Sequence, residues 1–321
     1  MKQQPLLGFL FALMTAMAWG SLPIALKQVL SVMTPQTIVW YRFAVASLAL
    51  LILLGYKKKL PQFSKGGRFI WLVLIGVAGL AGNFFLFNSS LNFIDPSSAQ
   101  IFIHFSSFGM LICGIFVFKE KLGLHQKIGL GLLLAGLVLF FNDKLEVFKG
   151  ESGYLTGVLL SLTASLVWVA YGMAQKLMLR RFSSQQILLM MYFGCLLVFT
   201  PVAEFSQVSN LTPFAFGCFV YCCLNTLFGY GAYAEALNRW EVSKVSVVIT
   251  LVPLFTIFFA HLAHYVSPEN FAAPELNMIS YIGAFAGPNS LPTKRSWRGC
   301  QKARWLRQKP RLKRKSWKVI C

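Results

Sequence analysis

Acidic residues are scarce in this chain. Its 321 residues include ten Asp+Glu and four His, and charged residues of all kinds make up 12%. A soluble domain carries about twice that share, so the composition excludes an ordinary water-soluble globule. No H-E-x-x-H, Walker loop or G-x-S-x-G occurs. Signatures of a zinc hydrolase, an ATP site and a serine hydrolase are therefore missing. No enzyme is expected and no cofactor is implied. Seven Cys, an odd number, sit mostly inside apolar runs, where they behave as small hydrophobes and not as a disulfide framework. Cys218, Cys222 and Cys223 crowd one run without His or carboxylate at zinc spacing, and His261 and His264 have no third ligand. No metal site is expected.

What the chain has in quantity is apolar sequence: 56% hydrophobic residues and a mean hydropathy of +0.62. Windows of about 19 residues pick out spans near 6–26, 37–56, 69–87, 98–118, 124–141, 154–175, 187–203, 214–234 and 245–266. A tenth apolar piece starts at 276. The fold class predicted is an all-α polytopic membrane protein of about ten transmembrane helices.

Two of these spans repeat each other. At one fixed offset Gly8 meets Gly157, Trp19 meets Trp168 and Lys27 meets Lys176. Further on, Leu91-Asn92 matches Leu237-Asn238, Ser97 matches Ser243, Glu120 lies where Glu269 falls, and Ile128-Gly129 recurs as Ile282-Gly283. A repeat of this length marks a duplicated unit. It divides the chain into a first five-helix repeat (6–141), a polar linker (142–153) and a second repeat (154–287). Five spans is an odd number, so the second copy enters the membrane from the opposite side, giving inverted repeats. The start of the chain imitates a secretory signal, with Lys2, an apolar run and Ala16-Met17-Ala18. Its second copy lies mid-chain, so the first is read as a retained span.

Basic residues give the orientation. With the N-terminus inside, inner segments hold 14 Lys+Arg, among them Lys57, Lys58, Lys59, Arg180, Arg181 and Arg239. Outer loops hold only Lys27, Lys144 and Lys149. Small residues suggest helix contacts: Ala12, Ala16 and Gly20 on the first span, Gly76, Gly79 and Gly82 on the third, Gly129, Gly131 and Gly136 on the fifth.

The Ala18-Trp19-Gly20 of the first span, the Tyr41-Arg42-Phe43 of the second, Glu120 after the fourth and Ile128-Gly129 opening the fifth occur in that order within two five-span halves. Together they resemble the drug/metabolite transporter superfamily, and its EamA-type branch in particular, over about residues 6–287. The resemblance implies a multi-pass carrier of the bacterial inner membrane that moves small metabolites, often outward. Proton coupling and a homodimer stand as open options; nucleic acid is not an expected partner.

Polar groups inside spans are the candidates for substrate contact. Arg42 either meets an anionic group or snorkels to the outer interface. Asn83 lines a pocket or bonds a neighbouring helix. His104 relays a proton, binds substrate, or is a neutral His satisfied by a nearby Ser. Trp19 and Trp168, equivalent in the two copies, approach a central crevice or serve as packing. Tyr171 and Gln175 extend the Trp168 face by i+3 and i+7. Tyr230 precedes Glu235, which is either a titratable group open to the cavity or a cap to Arg239 at i+4.

Residues 288–321 depart from this plan. They hold 12 of the 30 Lys+Arg and no Asp or Glu, leaving +8 for the first 287 residues. Pro288 and Pro292 stop a helix, so the tenth span looks truncated. The tail is read as out-of-frame and lacking a fold, or else as a polybasic segment for anionic lipid or nucleic acid. A non-transporting scaffold or regulator, or a non-functional product of a disrupted frame, is the alternative to a carrier.

Overall fold

A computed structural model describes residues 4–61, 67–103, 105–106, 109, 131, 152–178, 181–240, 245 and 248–273. His104, the linker, the fifth span, the tenth span and the tail lie outside or almost wholly outside them. The described residues form helices and no strand: α1 (Pro5–Leu30), α2 (Pro35–Tyr56), α3 (Gly67–Ser90), α4 (Pro96–Ile103), α5 (Ser152–Met178), α6 (Ser184–Phe199), α7 (Pro213–Arg239) and α8 (Val252–Val266). Two short 3-10 turns, Thr200–Val202 and Phe205–Asn210, join α6 to α7. Six of these helices are long and apolar enough to cross a membrane.

Helix starts are written in short signals. Pro5, Pro35, Pro96 and Pro213 open four helices, where a missing N–H costs nothing. Thr212 accepts from the Ala215 N–H at 3.2 Å, and Asp95 accepts from Ser98 N–H at 3.0 Å. Ser183 and Gln186 form a reciprocal capping box at the start of α6. The expected ninth span, 245–266, is not one unbroken helix. Residues 245 and 248–249 are helical, 250–251 form a turn, and α8 begins at Val252 with Pro253 in its first turn. Proline lacks the N–H that would continue the preceding helix.

Apolar side chains such as Leu48, Ile52, Trp71 and Leu166 remain more than half exposed on the outside of the bundle, as a lipid-facing surface requires. Inside, helices pair in a fixed pattern. Along α1, Gly8 lies against Trp240, Thr15 against Gly229, Ala18 against Asn225 and Ser21 against Tyr221, so α7 runs antiparallel to α1. Along α3, Gly76 meets Met178, Gly79 meets Tyr171, and Asn83 meets Ala164, so α5 is antiparallel to α3. The pair α2 and α6 is antiparallel as well: Trp40 Nε1 donates to Thr200 at 3.0 Å, the Phe43 and Tyr192 rings lie 5.6 Å apart, and Gln186 Nε2 donates to the Lys59 carbonyl at 2.9 Å. By contrast α8 runs parallel to α1, from Gly20 beside Val252 and Thr256 to Gln28 bonded to the Asn270 carbonyl.

Small residues permit these approaches, since lipid supplies no hydrophobic drive between helices. A Cβ on Gly79 would fall 2.8 Å from both Tyr171 N and Val167 O. Ala12, Ala16 and Gly20 are all buried, as the expected small-residue face of α1.

Candidate functional site

Six helices converge on a group of aromatic rings near mid-bundle. Trp19 of α1 is 14 residues from Pro5, which places it about 21 Å along that helix. Its ring centroid lies 5.1 Å from Tyr230 and 5.3 Å from Tyr233 of α7, and 6.2 Å from Trp168 of α5. Trp168 is 5.0 Å from Tyr171 and 6.1 Å from Tyr230. Tyr230 continues the group to Phe84 of α3 at 5.8 Å and to Tyr192 of α6 at 6.2 Å. Phe43 of α2 closes it, 4.7 Å from Phe84.

The backbone near Trp19 is open for a specific reason. Pro23 sits within α1 and has no N–H for the carbonyl four residues earlier, that of Trp19. Gln100 Nε2, from α4, donates to this carbonyl at 2.7 Å. An exposed helix break inside lipid would cost several kcal/mol for each unmet backbone group. Here a side chain from another helix meets it.

Arg42 is 2% exposed, so its side chain does not snorkel; it turns inward. Its Nε donates to Thr226 Oγ1 at 2.8 Å, and its guanidinium carbon lies 4.7 Å over the Phe84 ring. Thr226 in turn donates to the Cys222 carbonyl at 3.1 Å, which fixes its hydroxyl with a lone pair toward Arg42.

Two asparagines bridge helices in matching ways. Asn83 Nδ2 of α3 donates to the Ala164 carbonyl of α5 at 2.9 Å. Asn225 Nδ2 of α7 donates to the Ala18 carbonyl of α1 at 2.7 Å, and to Tyr221 OH at 3.0 Å. Asn225 Oδ1 and Trp19 Nε1 are buried without a partner. Both flank Gly229: a Cβ there would lie 2.9 Å from Trp19 Nε1 and 3.5 Å from Asn225 Oδ1.

Of the residues expected from sequence, Trp19, Arg42, Trp168, Tyr171 and Tyr230 gather here. Asn83 is committed to an interhelical bond at its edge. Gln175 lies one turn beyond Tyr171 on α5 and is half-buried. Glu235 is at the far end of α7, where Arg239 Nη2 meets its Oε2 at 2.9 Å and Arg239 also donates to Gln4. His104 lies outside the described residues.

Phe84, Tyr192, Asn225 and Thr226 were not among the expected site residues. Asn225-Thr226 is a polar pair in the middle of an apolar span, the same signal that singles out Asn83. At the offset matching Leu91-Asn92 to Leu237-Asn238, Gly79 falls on Asn225 and Asn83 on Gly229. Asn and Gly thus stand in swapped order at these two pairs of positions.

The EamA-like transporter family matches residues 6–142 and 155–285. An "uncharacterized transporter" of Haemophilus influenzae is 73% identical over 285 residues, covering 89% of this chain and 93% of that protein. The "uncharacterized inner membrane transporter YhbE" of Escherichia coli K12 is 45% identical over 318 residues, with 97% and 99% covered. That match takes in more than residues 6–285 and so extends into the basic tail. A "probable amino-acid metabolite efflux pump" of Salmonella typhimurium is 21% identical over 267 residues, covering 77% and 83%. Among solved structures, one chain shares the fold with a TM-score of 0.62 at 16% identity, over 93% of this chain and 98% of that one. With the described residues forming a helical bundle of apolar spans and with two successive family matches, this chain belongs to the EamA-like transporter family and is a membrane transporter.

Proposed function

We propose that the chain is a secondary carrier that exports a small metabolite across the bacterial inner membrane, by alternating access between two inverted five-helix repeats. The observation that carries this reading is the aromatic group around Trp19 and Tyr230, built from both halves of the chain near mid-bundle with a buried Arg42 beside it. Substrate sites of such carriers lie at the repeat interface near the midplane.

The helix directions support inversion. Successive spans alternate, so α1 and α3 point the same way; α5 is antiparallel to α3, and the second half therefore starts in the direction opposite to the first. The family matches over 6–142 and 155–285 support the division into two halves and a linker. Relatives named "uncharacterized inner membrane transporter" and "probable amino-acid metabolite efflux pump" support the location and the outward direction. The basic-residue bias supports an inside N-terminus.

Within this reading Trp19, Trp168, Tyr171 and Tyr230 wall the site, Arg42 is its charge and Asn83 holds α3 to α5 at its edge. Gln175 lies on the same face of α5. Glu235, Arg239 and Gln4 tie the inner ends of α7 and α1 together and must part when that end opens. Rocking of one half against the other exposes the site to each side in turn.

The test uses the purified full chain in proteoliposomes loaded with a small-molecule extract of bacterial cells, without ATP. Mass spectrometry of the outer solution should find one or more metabolites released faster than from protein-free vesicles. Equal release of every metabolite from both would overturn the reading.

A further inference from the structure

Among the described residues Arg42 is a buried cation with no anion beside it. Among the described residues the four carboxylates are occupied elsewhere: Asp95 bonds Ser98, Glu204 bonds Gln207, Glu235 pairs with Arg239, and Glu269 faces Asn270. Thr226 takes only the Nε of Arg42, and no described oxygen accepts from its two terminal nitrogens. Among the described residues, then, no group accepts from the four remaining N–H donors or faces the charge, on a side chain that is 2% exposed. A guanidinium inside a membrane bundle is expensive unless paired. The Phe84 face beneath it offers a partial offset through the ring quadrupole, worth far less than an anion.

The arrangement of the side chain is specific. Thr226 spends its one proton on the Cys222 carbonyl, so its oxygen can only accept, and it fixes the Nε edge of the guanidinium. The remaining edge is a planar fork of two nitrogens, which matches the two oxygens of a carboxylate. No second cation lies among the described residues of the aromatic group. One positive charge neutralises a monoanion; a dianion would keep a net negative charge in a low-dielectric site. The guanidinium adjoins the aromatic group: its carbon is 4.7 Å from Phe84, Tyr230 is 5.8 Å from Phe84, and Trp19 and Trp168 adjoin Tyr230.

We infer that Arg42 is the carboxylate anchor of a substrate site for monocarboxylates with an aromatic or apolar body, and that Thr226 is its positioning residue. This deepens the carrier reading and rests on it for the role of the site, while the binding claim is tested separately.

The experiment compares three probes on the detergent-purified full chain: 3-phenylpropionate, its neutral amide 3-phenylpropanamide, and the dianion 2-phenylethyl phosphate. Binding is read from indole fluorescence, and transport from counterflow of labelled 3-phenylpropionate in proteoliposomes. The acid should bind about tenfold or more tightly than either analogue, the scale of a charge-assisted bidentate contact. Arg42→Gln should erase that preference and Arg42→Lys restore part of it, with size-exclusion profile and Tm reporting that each variant is folded. Thr226→Val should weaken the acid and leave the amide unchanged, which a merely structural loss would not do. Equal binding of acid and amide, no binding of the acid up to millimolar concentration, or a preference that survives Arg42→Gln would each overturn the inference. Vesicle flux of other metabolites without any acid preference would sink the anchor and spare the carrier; Arg42-dependent binding without flux of any kind would do the reverse.

Discussion

Gln100 Nε2 on α4 holds the carbonyl of Trp19 at 2.7 Å, and that carbonyl is free because Pro23 has no N–H to offer it. One side chain thus repairs a helix defect, ties α4 to α1, and does so at the residue on which the aromatic group is centred.

Replacing Gln100 by Leu should destabilise the chain by about 1–2 kcal/mol, the range for an interhelical hydrogen bond to a buried group in a membrane bundle. Pro23→Ala restores the helical N–H, so the double variant should lose much less than Gln100→Leu alone. Thermal unfolding in detergent of all four proteins checks this. Additive losses would mean that the two residues are not coupled.

Glycines separate close packing from open space. Gly79→Ala would press a Cβ against two main-chain atoms at 2.8 Å and should cost about 1–3 kcal/mol, as overpacking does. Gly231→Ala has nothing within 4 Å and should be close to neutral. Gly229→Ala meets the Trp19 indole at 2.9 Å and should move the indole emission maximum and reduce flux while leaving Tm nearer the wild type than Gly79→Ala does. An order of Tm losses other than Gly79, Gly229, Gly231 would contradict the packing described.

Asn83 and Asn225 bridge α3 to α5 and α7 to α1 in the same manner, so Asn83→Leu and Asn225→Leu should each lower stability by about 0.6–2 kcal/mol. Asn225→Leu should also alter Trp19 emission, because its Oδ1 lies beside the indole at Gly229. Denaturation in mixed micelles with fluorescence detection reads both quantities at once. Identical spectra for the two variants would remove the special place given to Asn225.

The Glu235–Arg239 pair is about one-third exposed on both sides, so its contribution to stability is screened. Glu235→Gln should change stability by less than about 0.5 kcal/mol. If the pair tethers the inner end, the same variant should shift the accessibility of a cysteine placed near Gln4 while Tm stays constant. A large Tm loss would show a buried structural pair instead.

With the N-terminus inside, a cysteine introduced at Lys58 should resist impermeant thiol reagents in intact cells and react once the membrane is permeabilised. Ready labelling in intact cells, above the level of the native Cys residues, would reverse the orientation.

The sequence alone determined the membrane class and most of the spans, because hydropathy is a sum over neighbouring residues and needs no partner. It also showed that Trp19 and Trp168 hold matching places at one offset, and which small residues of α1 and α3 lie against other helices; among the described residues Gly131, expected at a helix contact, has open space around it. Helix packing turns Arg42 inward to Thr226, spends Asn83 on an interhelical bond, and links Tyr192 and Phe84 through Tyr230 to the group around Trp19. A membrane helix is apolar on every side, so its periodicity says little about which face meets which neighbour. Pro23 shows the division most clearly: the sequence announces an orphaned carbonyl at Trp19, but only the approach of α4 to α1 names Gln100 as the donor that answers it.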